Sequence, residues 1–486
     1  MNSIQGVDEI YPRTGMRASE LPVGVTSFLG VSPSDFAVMK IPRAAPPRNL
    51  IVQKYGGSSL ADAAGIRRSA QRIAETQASG YQVLAVVSAM GDTTDELLDL
   101  ATSVSPRPRA CDLDALLTTG ELVSMALLVI ALADLGANAR TFTGSQAGLI
   151  TDSLHGKARI TDVKPDRIHA CLKRGDIAIV AGFQGRTRKK KALTTLGRGG
   201  SDLTAVALAA ALHASVCEIY TDVDGIYTAD PRVVPTARKI EVLSSEEMLE
   251  FAASGAKILH LRCVEYARRF NVPIHVRSSF IQAPGTLVLP CLDGHRATSA
   301  RERVVVSAVT SNNSAATITV TDVPLSTEAT ARIFGSLANS GFTIRMITRY
   351  THQAHHSTSD LVFALPATDA PAALATLTAI QEATGFRGVK VQDHMGQITV
   401  SGLGMRSSSE VLCAFFRVLS DADIPVQLIE TSELSISAVI PADRLEDAVR
   451  GLEVGFGLNK TQIPPSGGQK RSTISETGAA HGPAHA

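Results

Sequence analysis

The chain reads Thr194-Thr195-Leu196-Gly197-Arg198-Gly199-Gly200-Ser201-Asp202 immediately before an alanine-rich run, 203–212. Glycines let backbone N–H groups approach a bulky anion closely, and a helix that begins here would direct its positive end at the same point. Arg198 adds a bidentate donor for a carboxylate or phosphate, and Asp202 places an anion in the first helical turn. A site that holds two anions and also keeps a carboxylate of its own indicates phosphoryl transfer.

From Leu50 onward, short apolar strands alternate with helical stretches. Strands are predicted at 50–54, 83–88, 177–182 and 215–220. This alternation is typical of an α/β domain with a largely parallel sheet, assigned here to residues 49–300. Such sheets bind ligands at the carboxyl ends of their strands, where most of the motifs below lie.

The composition indicates an ordinary globular protein of two or three domains: 486 residues, 44% hydrophobic and 19% charged. The net charge of +1 gives no electrostatic reason to expect nucleic acid or a membrane surface as a partner. The six cysteines are scattered without a CxxC pair, which favours reduced thiols in the cytoplasm. We expect no membrane span, because no apolar run approaches the ~18 residues that one needs.

Both ends of the chain are predicted to be disordered. Residues 1–48 contain six prolines and little periodicity, without the basic start and apolar core of a signal peptide. Residues 464–486 are polar and rich in proline and glycine.

Two segments after Arg303 share one order of elements: strand, helix, strand, strand, helix. They span 304–385 and 389–460, and the repeated order predicts a tandem pair of small α+β modules of about 75 residues each.

A second glycine motif, Lys54-Tyr55-Gly56-Gly57-Ser58-Ser59, follows the first predicted strand. The Lys54 ammonium would neutralise charge on a transferred phosphoryl group while loop amides hold its oxygens. Alternatively, Lys54 is a surface lysine before a tight turn. The chain has no GxxxxGK[ST] motif and no HRD/DFG pair, so neither a P-loop nor a protein-kinase site is expected.

Glu121 falls in the first turn of a strongly apolar predicted helix that starts near Thr119. Its carboxylate either complements the helix dipole or receives a substrate ammonium. In the second case, Arg198 and Glu121 would hold the carboxylate and the amine of one amino acid.

A nucleotide is expected at 221–232, where Tyr227 can support an adenine and Arg232 can meet a phosphate. Lys257 would supply a second lysine to the phosphates. His352, His355 and His356 lie in a polar loop, and we assign no metal site to them or elsewhere.

These motifs resemble the aspartate kinase family over about 50–460. Lys54–Ser59 is similar to the family's KFGGTS, and 182–185, 195–202, 221–232 and 262–280 match it closely. The C-terminal modules resemble ACT domains, chiefly through 402–407 and 430–433. The resemblance implies an amino-acid kinase fold, an αβα sandwich with a largely parallel sheet, followed by two ferredoxin-like ACT domains.

The resemblance also implies ATP-dependent, Mg²⁺-dependent phosphorylation of the side-chain carboxylate of L-aspartate, the first step toward lysine, threonine and methionine. The implied catalytic residues are Lys54, Arg198 and Asp202. The implied ATP-binding residues are Lys54, Tyr55, Gly56, Gly57, Ser88, Ser201, Thr221, Asp222, Tyr227, Arg232 and Lys257. The implied aspartate-binding residues are Thr94, Glu121, Arg198, Gly199, Gly200 and Ser201.

The resemblance further implies a homodimer formed through the ACT domains and an amino-acid effector, lysine or threonine. The turns at 323–328 and 408–410 and the residue Glu430 depart from the family's pattern at the effector rim, so we expect altered feedback inhibition. Two alternatives stay open: a paralogue that phosphorylates another amino-acid carboxylate, and a non-catalytic ACT-domain sensor.

Overall fold

The computed structural model describes residues 49–254, 258–290, 305–351, 357–403, 405 and 409–458. The predicted disordered segments 1–48 and 464–486 lie outside the described residues. So do Lys257 and the three histidines at 352–356.

The first part of the chain alternates strands and helices. The strands are β1 (Leu50–Tyr55), β2 (Gln82–Val87), β3 (Ala139–Phe142), β4 (Leu149–Thr151), β5 (Ile160–Val163), β6 (Ile177–Ala181), β7 (Gln184–Thr187), β8 (Leu193–Thr195), β9 (Val216–Thr221), β10 (Ile226–Tyr227), β11 (Lys239–Ile240), β12 (Val242–Ser244), β13 (Ile274–Ser278) and β14 (Thr286–Leu289). The helices are α1 (Ala63–Ala78), α2 (Thr93–Val104), α3 (Ala110–Leu117), α4 (Thr119–Asp134), α5 (Asp166–Lys173), α6 (Gly200–Leu212), α7 (Ser245–Ala253) and α8 (Leu261–Arg269).

An eight-stranded sheet forms the centre of this part, in the order β12-β14-β13-β9-β1-β2-β6-β3. The six strands from β13 to β3 run parallel to their neighbours, whereas β14 is antiparallel to β13. Strand β6 is buried along its whole length, and β2 is buried at all but its first residue. Near-continuous aliphatic runs of this kind are typical of parallel strands covered on both faces.

Helices cover both faces of this sheet. On one face, Ile66 and Ile73 of α1 and Leu128 and Leu132 of α4 pack against the strands. On the other, α6 is buried over nearly all of its length, because its alanines let it approach β1 and β2 closely. The structure therefore has the predicted αβα layering.

The segment 110–134, which comprises α3 and α4, is long and apolar enough to cross a membrane by length and composition. The expectation that no apolar stretch reaches that length is therefore wrong for this segment. Core packing accounts for much of its apolar character, since Leu128 and Leu132 are fully buried against the sheet.

A smaller four-stranded sheet, in the order β5-β4-β7-β8, stands beside the central one. Strand β8 is its edge strand, and it leads directly into the glycine loop at 196–200. The loop between β4 and β5 lies against the same region, because the Ala158 N–H donates to the Thr195 carbonyl (2.9 Å).

The C-terminal part follows the repeated order of elements predicted from the sequence. Its strands are β15 (Val305–Pro324), β16 (Arg345–Thr351), β17 (Thr358–Pro366), β18 (Gly388–Leu403), β19 (Leu428–Thr431) and β20 (Ser435–Pro441), and its helices are α9 (Thr327–Asn339), α10 (Ala370–Thr384), α11 (Ser409–Asp421) and α12 (Leu445–Gly455). All six strands form one antiparallel sheet, in the order β16-β17-β15-β18-β20-β19.

The two C-terminal hydrophobic cores interleave along the chain. Strand β15 is 20 residues long and passes through both. Val309, from its first half, packs with Ile398 and Phe415 in the second core. Ile318, from its second half, packs in the first core, which also contains Phe386. The structure thus differs from the predicted contiguous modules, 304–385 and 389–460, because one long strand serves both cores.

Candidate active site

Four neighbouring strands, β9, β1, β2 and β6, end at the same edge of the central sheet. The Gly56 N–H donates to the Tyr220 carbonyl (3.2 Å), and the Ser88 N–H donates to the Tyr55 carbonyl (3.1 Å). The Gly182 N–H continues the series by donating to Val87 (3.0 Å). The segments that follow these strands, which include most of the predicted site residues, are therefore held side by side.

Lys54 and Asp202 form an ion pair at this edge. Lys54 Nζ, on β1, lies 2.6 Å from Asp202 Oδ1, in the first turn of α6, and the two side chains are 12% and 9% exposed. Side chains alternate along a strand, so Lys54 faces α6 while its neighbours Gln53 and Tyr55 face α1. The pair places one cation and one carboxylate in a nearly water-free position at the start of a helix.

The Tyr55 side chain is on the opposite face from this ion pair. Its ring stacks on Tyr220 with centroids 5.0 Å apart, and it is almost completely buried. Any contact of Tyr55 with a nucleotide at the site would therefore be made by its backbone.

The glycine loop is shaped by close packing. Gly199 has φ +70°, and a Cβ there would lie 2.2 Å from His260 Cγ, so the histidine ring rests directly on the glycine backbone. A Cβ on Gly182 would lie 2.8 Å from the Ser201 side chain. Ser201 and Asp202 are consequently both buried at the start of α6.

Glu121 is a buried carboxylate at the start of α4, with only 2% of its surface exposed. Its Oε1 accepts a hydrogen bond from the Ala89 N–H (3.2 Å). Within the described residues, its Oε2 has no hydrogen-bond partner. Burial raises the pKa of Glu121 to about 7. A buried oxygen without a donor is costly, and an ammonium group would satisfy it.

Arg198 occupies a different environment from Glu121. Its side chain is 87% exposed, and its guanidinium lies 3.8 Å from Asp95 Oδ1 on α2. Thr94, the residue before Asp95, is half-buried on the same helix. That Arg198 and Glu121 bind the carboxylate and the amine of one amino acid stays a prediction.

The segment 221–232 divides into two parts. Thr221 and Asp222 lie at the end of β9, where Thr221 Oγ1 donates to Asp222 Oδ1 (2.9 Å). The Tyr227 hydroxyl donates to Asp224 (2.8 Å), and burial, together with this bond, raises the pKa of Tyr227 to about 12.

Beyond Tyr227 the chain packs against the C-terminal part. Ala229 and Val234 belong to the second C-terminal core, and Thr228 Oγ1 donates to Glu453 Oε1 of α12 (3.0 Å). Arg232 is highly exposed and pairs with Asp230 (2.7 Å). This half of the segment has a structural role that the sequence did not reveal, and the phosphate contact of Arg232 stays a prediction.

Two residues near the loop had no role in the sequence-based site. The His260 ring covers Gly199, and its pKa is lowered first by burial and then by the cations Lys54 and Arg198, against the opposing effect of Asp202. Asp114, on α3, is buried and accepts a hydrogen bond from the Thr195 hydroxyl. In the sequence, Asp114 was one of two aspartates in a short, otherwise apolar helix, and that pattern did not identify its partners.

This chain is similar to known proteins and to two protein-family models. The amino acid kinase family model matches residues 49–278, and an ACT domain model matches residues 398–456. The aspartokinase of Mycolicibacterium smegmatis is 50% identical over 409 residues, which cover 84% of this chain and 96% of that enzyme. The chain belongs to the aspartokinase family. The aspartokinase of Corynebacterium glutamicum is 48% identical over the same shares of both chains.

Solved aspartokinases have the same fold. The crystal structure of Escherichia coli aspartokinase III in complex with aspartate and ADP (R-state) superposes with a TM-score of 0.70 at 26% identity, covering 84% of this chain and 99% of that one. The structure of the same enzyme with lysine and aspartate (T-state) gives a TM-score of 0.64. The family, the fold class and the enzyme class predicted from the sequence are confirmed: the chain is an aspartate kinase.

Proposed function

We propose that the edge formed by β9, β1, β2 and β6 binds L-aspartate next to the γ-phosphate of ATP, with Glu121 receiving the aspartate ammonium. The observation that carries this proposal is the buried Oε2 of Glu121, which lacks a donor within the described residues. Arg198, which is exposed on the glycine loop 196–200, supplies the bidentate donor for the α-carboxylate. Thr94, Gly199, Gly200 and Ser201 complete the proposed aspartate site.

The proposed reaction joins a side-chain carboxylate oxygen of aspartate to the γ-phosphorus and breaks the bond between that phosphorus and the β–γ bridging oxygen. ADP leaves with the bond's electron pair. The attacking carboxylate is already ionised near neutral pH, so no proton has to be removed. Lys54 stabilises charge on the transferred group, while Asp202 keeps Lys54 in place before the nucleotide arrives.

We assign ATP to the loops that follow the strands. Backbone amides at Gly56 and Gly57 and the side chains of Ser88 and Ser201 would hold phosphates. The nucleoside would be held by Thr221, Asp222 and Tyr227, and by the backbone of Tyr55. Arg232 and Lys257 would supply further positive charge to the phosphates.

Mg²⁺ fits this arrangement as a companion of the nucleotide. Among the described residues, no three acidic, histidine or cysteine side chains converge into a ready-made metal site. Mg²⁺ in kinase sites commonly uses one or two carboxylates together with substrate phosphates. Asp202 is a buried carboxylate next to Lys54, at the sheet edge where we propose that the phosphates bind. When bound, the ion would neutralise phosphate charge.

A hydroxamate assay with ATP and Mg²⁺ tests the reaction against its alternatives. L-aspartate should give acyl phosphate, whereas succinate, which lacks the ammonium group, should react poorly. Preferential use of another amino-acid carboxylate would identify a paralogue. Binding of ATP without turnover of any acceptor would favour the sensor.

We further propose that the ACT domains bind lysine or threonine and pair two chains into a cytoplasmic homodimer. A lysine complex is known for Escherichia coli aspartokinase III, which supports an effector of this class. The same assay with each amino acid added, and mass photometry of the enzyme, test both statements.

A further inference from the structure

Asp114 lies at the junction of three segments that are distant in sequence. It is on α3 and is only 1% exposed. Its Oδ1 accepts hydrogen bonds from Thr195 Oγ1 (2.6 Å) and from the Gly156 N–H (3.0 Å). Its Oδ2 pairs with His155 Nδ1 (2.6 Å). One carboxylate therefore joins α3, the loop between β4 and β5, and the end of β8.

The end of β8 is the base of the glycine loop. Thr195 is followed directly by the loop that presents Arg198. The loop also rests on the same β4–β5 turn, because Gly197 has φ +78° and a Cβ there would lie 3.0 Å from the Gly156 carbonyl oxygen. Fixing Thr195 and Gly156 to one carboxylate thus fixes where the loop starts and what supports it.

A second anchor holds the other side of this base. Arg262, on α8, donates to the carbonyls of Leu196 (2.6 Å) and Ala158 (2.9 Å). A loop with three glycines has little conformational preference of its own. Its position must come from such anchors, and charge-assisted hydrogen bonds are the strongest kind available.

Helix α3 also connects Asp114 to Glu121. Only Thr118 separates α3 from α4, and Glu121 is in the first turn of α4. Asp114 therefore ties the element that carries Glu121 to the loop that carries Arg198.

We propose that Asp114 is a positioning residue for the amino-acid acceptor: through Thr195 and Gly156 it sets the spacing between Glu121 and Arg198 without touching the substrate. This inference rests on the proposed aspartate site. It predicts that damage to the anchor weakens acceptor binding more than nucleotide binding, because the Lys54–Asp202 pair is held separately by β1 and α6.

The test compares two neighbouring threonines on β8. Thr195→Val removes the bond to Asp114. Thr194 precedes Thr195 on β8, and Thr194→Val removes a buried hydrogen bond of similar length, to Thr151 Oγ1 on β4 (2.7 Å). Both variants lose one buried side-chain hydrogen bond, so both melting temperatures should fall, and further for Thr195→Val, whose lost bond is to a carboxylate. Only Thr195→Val should raise the aspartate KM, by about tenfold, with the ATP KM within about twofold.

Thr195→Ser keeps the hydroxyl and should restore the aspartate KM to near the wild-type value. If Thr195→Val does not fold, His155→Ala provides the test instead, because His155 is partly exposed and alanine offers no side-chain donor to Asp114. That variant should raise the aspartate KM by about threefold.

Equal aspartate KM values for the two valine variants, or an unchanged aspartate KM in His155→Ala, would overturn the positioning role. So would a fall in kcat with both KM values unchanged. Loss of the proposed function is a separate result, since it would appear as a wild-type enzyme that does not phosphorylate aspartate.

Discussion

Lys54 Nζ is 2.6 Å from Asp202 Oδ1, so the cation that faces the proposed phosphoryl group is held by a carboxylate at the start of α6. Both side chains are largely shielded from water. A charge held in this way needs no reorganisation when a transition state forms, which is the main source of electrostatic catalysis.

Lys54→Ala should therefore reduce kcat much more than it changes the aspartate KM. The loss of one preorganised charge typically costs about 10²–10³-fold in kcat. Steady-state kinetics with each substrate varied measures both quantities. Lys54→Arg keeps the charge with a different shape and should retain more activity than Lys54→Ala. A raised aspartate KM with a normal kcat would contradict the role of Lys54.

Glu121 should make aspartate use dependent on pH. Burial raises the pKa of Glu121 to about 7, and only the ionised carboxylate can receive the ammonium group. The value of kcat/KM for aspartate should therefore fall as the pH drops below about 7, since this ratio reports groups of the free enzyme. The kcat profile should break at lower pH, because bound ammonium stabilises the ionised form.

Glu121→Gln provides the control for that profile. It should raise the aspartate KM and abolish the break near pH 7. Because the folded-state pKa is raised, the protonated form favours folding, and this contribution is lost as the pH rises through about 7. Glu121→Gln should thus gain melting temperature relative to wild type above pH 7. A pH profile unchanged by this substitution would exclude Glu121 as the titrating group.

Arg198→Ala should weaken aspartate binding specifically. Hydrogen bonds to charged groups contribute about 1.5–3 kcal/mol, which corresponds to tenfold or more in the aspartate KM. Arg188→Ala is a matched control, because Arg188 is also an exposed arginine paired with an aspartate, Asp162 (2.8 Å), but lies in the turn between β7 and β8. An aspartate KM that is equal in the two variants would remove Arg198 from the acceptor site.

Gly199→Ala should reduce stability through backbone strain and through a clash with His260. Gly80→Ala separates the two causes, because it introduces only the strain. Both Gly199 and Gly80 have positive φ, +70° and +93°, and an alanine at such a position costs about 1–2 kcal/mol. Only at Gly199 would the new Cβ also strike the His260 ring, whereas no atom of the part of the chain that the structure describes lies within 4 Å of a Cβ on Gly80. Chemical denaturation should show the larger loss for Gly199→Ala, and only that variant should lose activity. An equal loss of stability in Gly199→Ala and Gly80→Ala would mean that the His260 ring moves aside at no energetic cost.

Much of the fold could be predicted because buried parallel strands such as β2 and β6 are continuous aliphatic runs. Lys54, Glu121 and Asp202 could be found for a related reason, since each is a charge beside glycines or inside an apolar helix. Asp114 could not, because its partners lie 41 and 81 residues away and meet it only in three dimensions. The interleaved C-terminal cores depend on the register of β15 with β18, which no local pattern specifies.

The bond between Thr228 and Glu453 links the nucleotide segment to the C-terminal part of the chain. Glu453 is completely buried, burial raises its pKa, and within the described residues its Oε2 has no hydrogen-bond partner. Thr228 Oγ1 donates to Glu453 Oε1 and accepts from the Arg238 N–H (3.0 Å).

Thr228→Val should therefore destabilise the protein by about 1–3 kcal/mol, since it leaves a buried carboxyl group without its donor. Because Thr228 directly follows Tyr227, the nucleotide segment should also loosen, and the ATP KM should rise while the aspartate KM stays constant. Thr228→Ser keeps the hydroxyl and should behave like wild type in both respects. Denaturation curves and substrate-varied kinetics measure the two effects. A variant that loses stability but keeps its ATP KM would show that Tyr227 is positioned independently of α12.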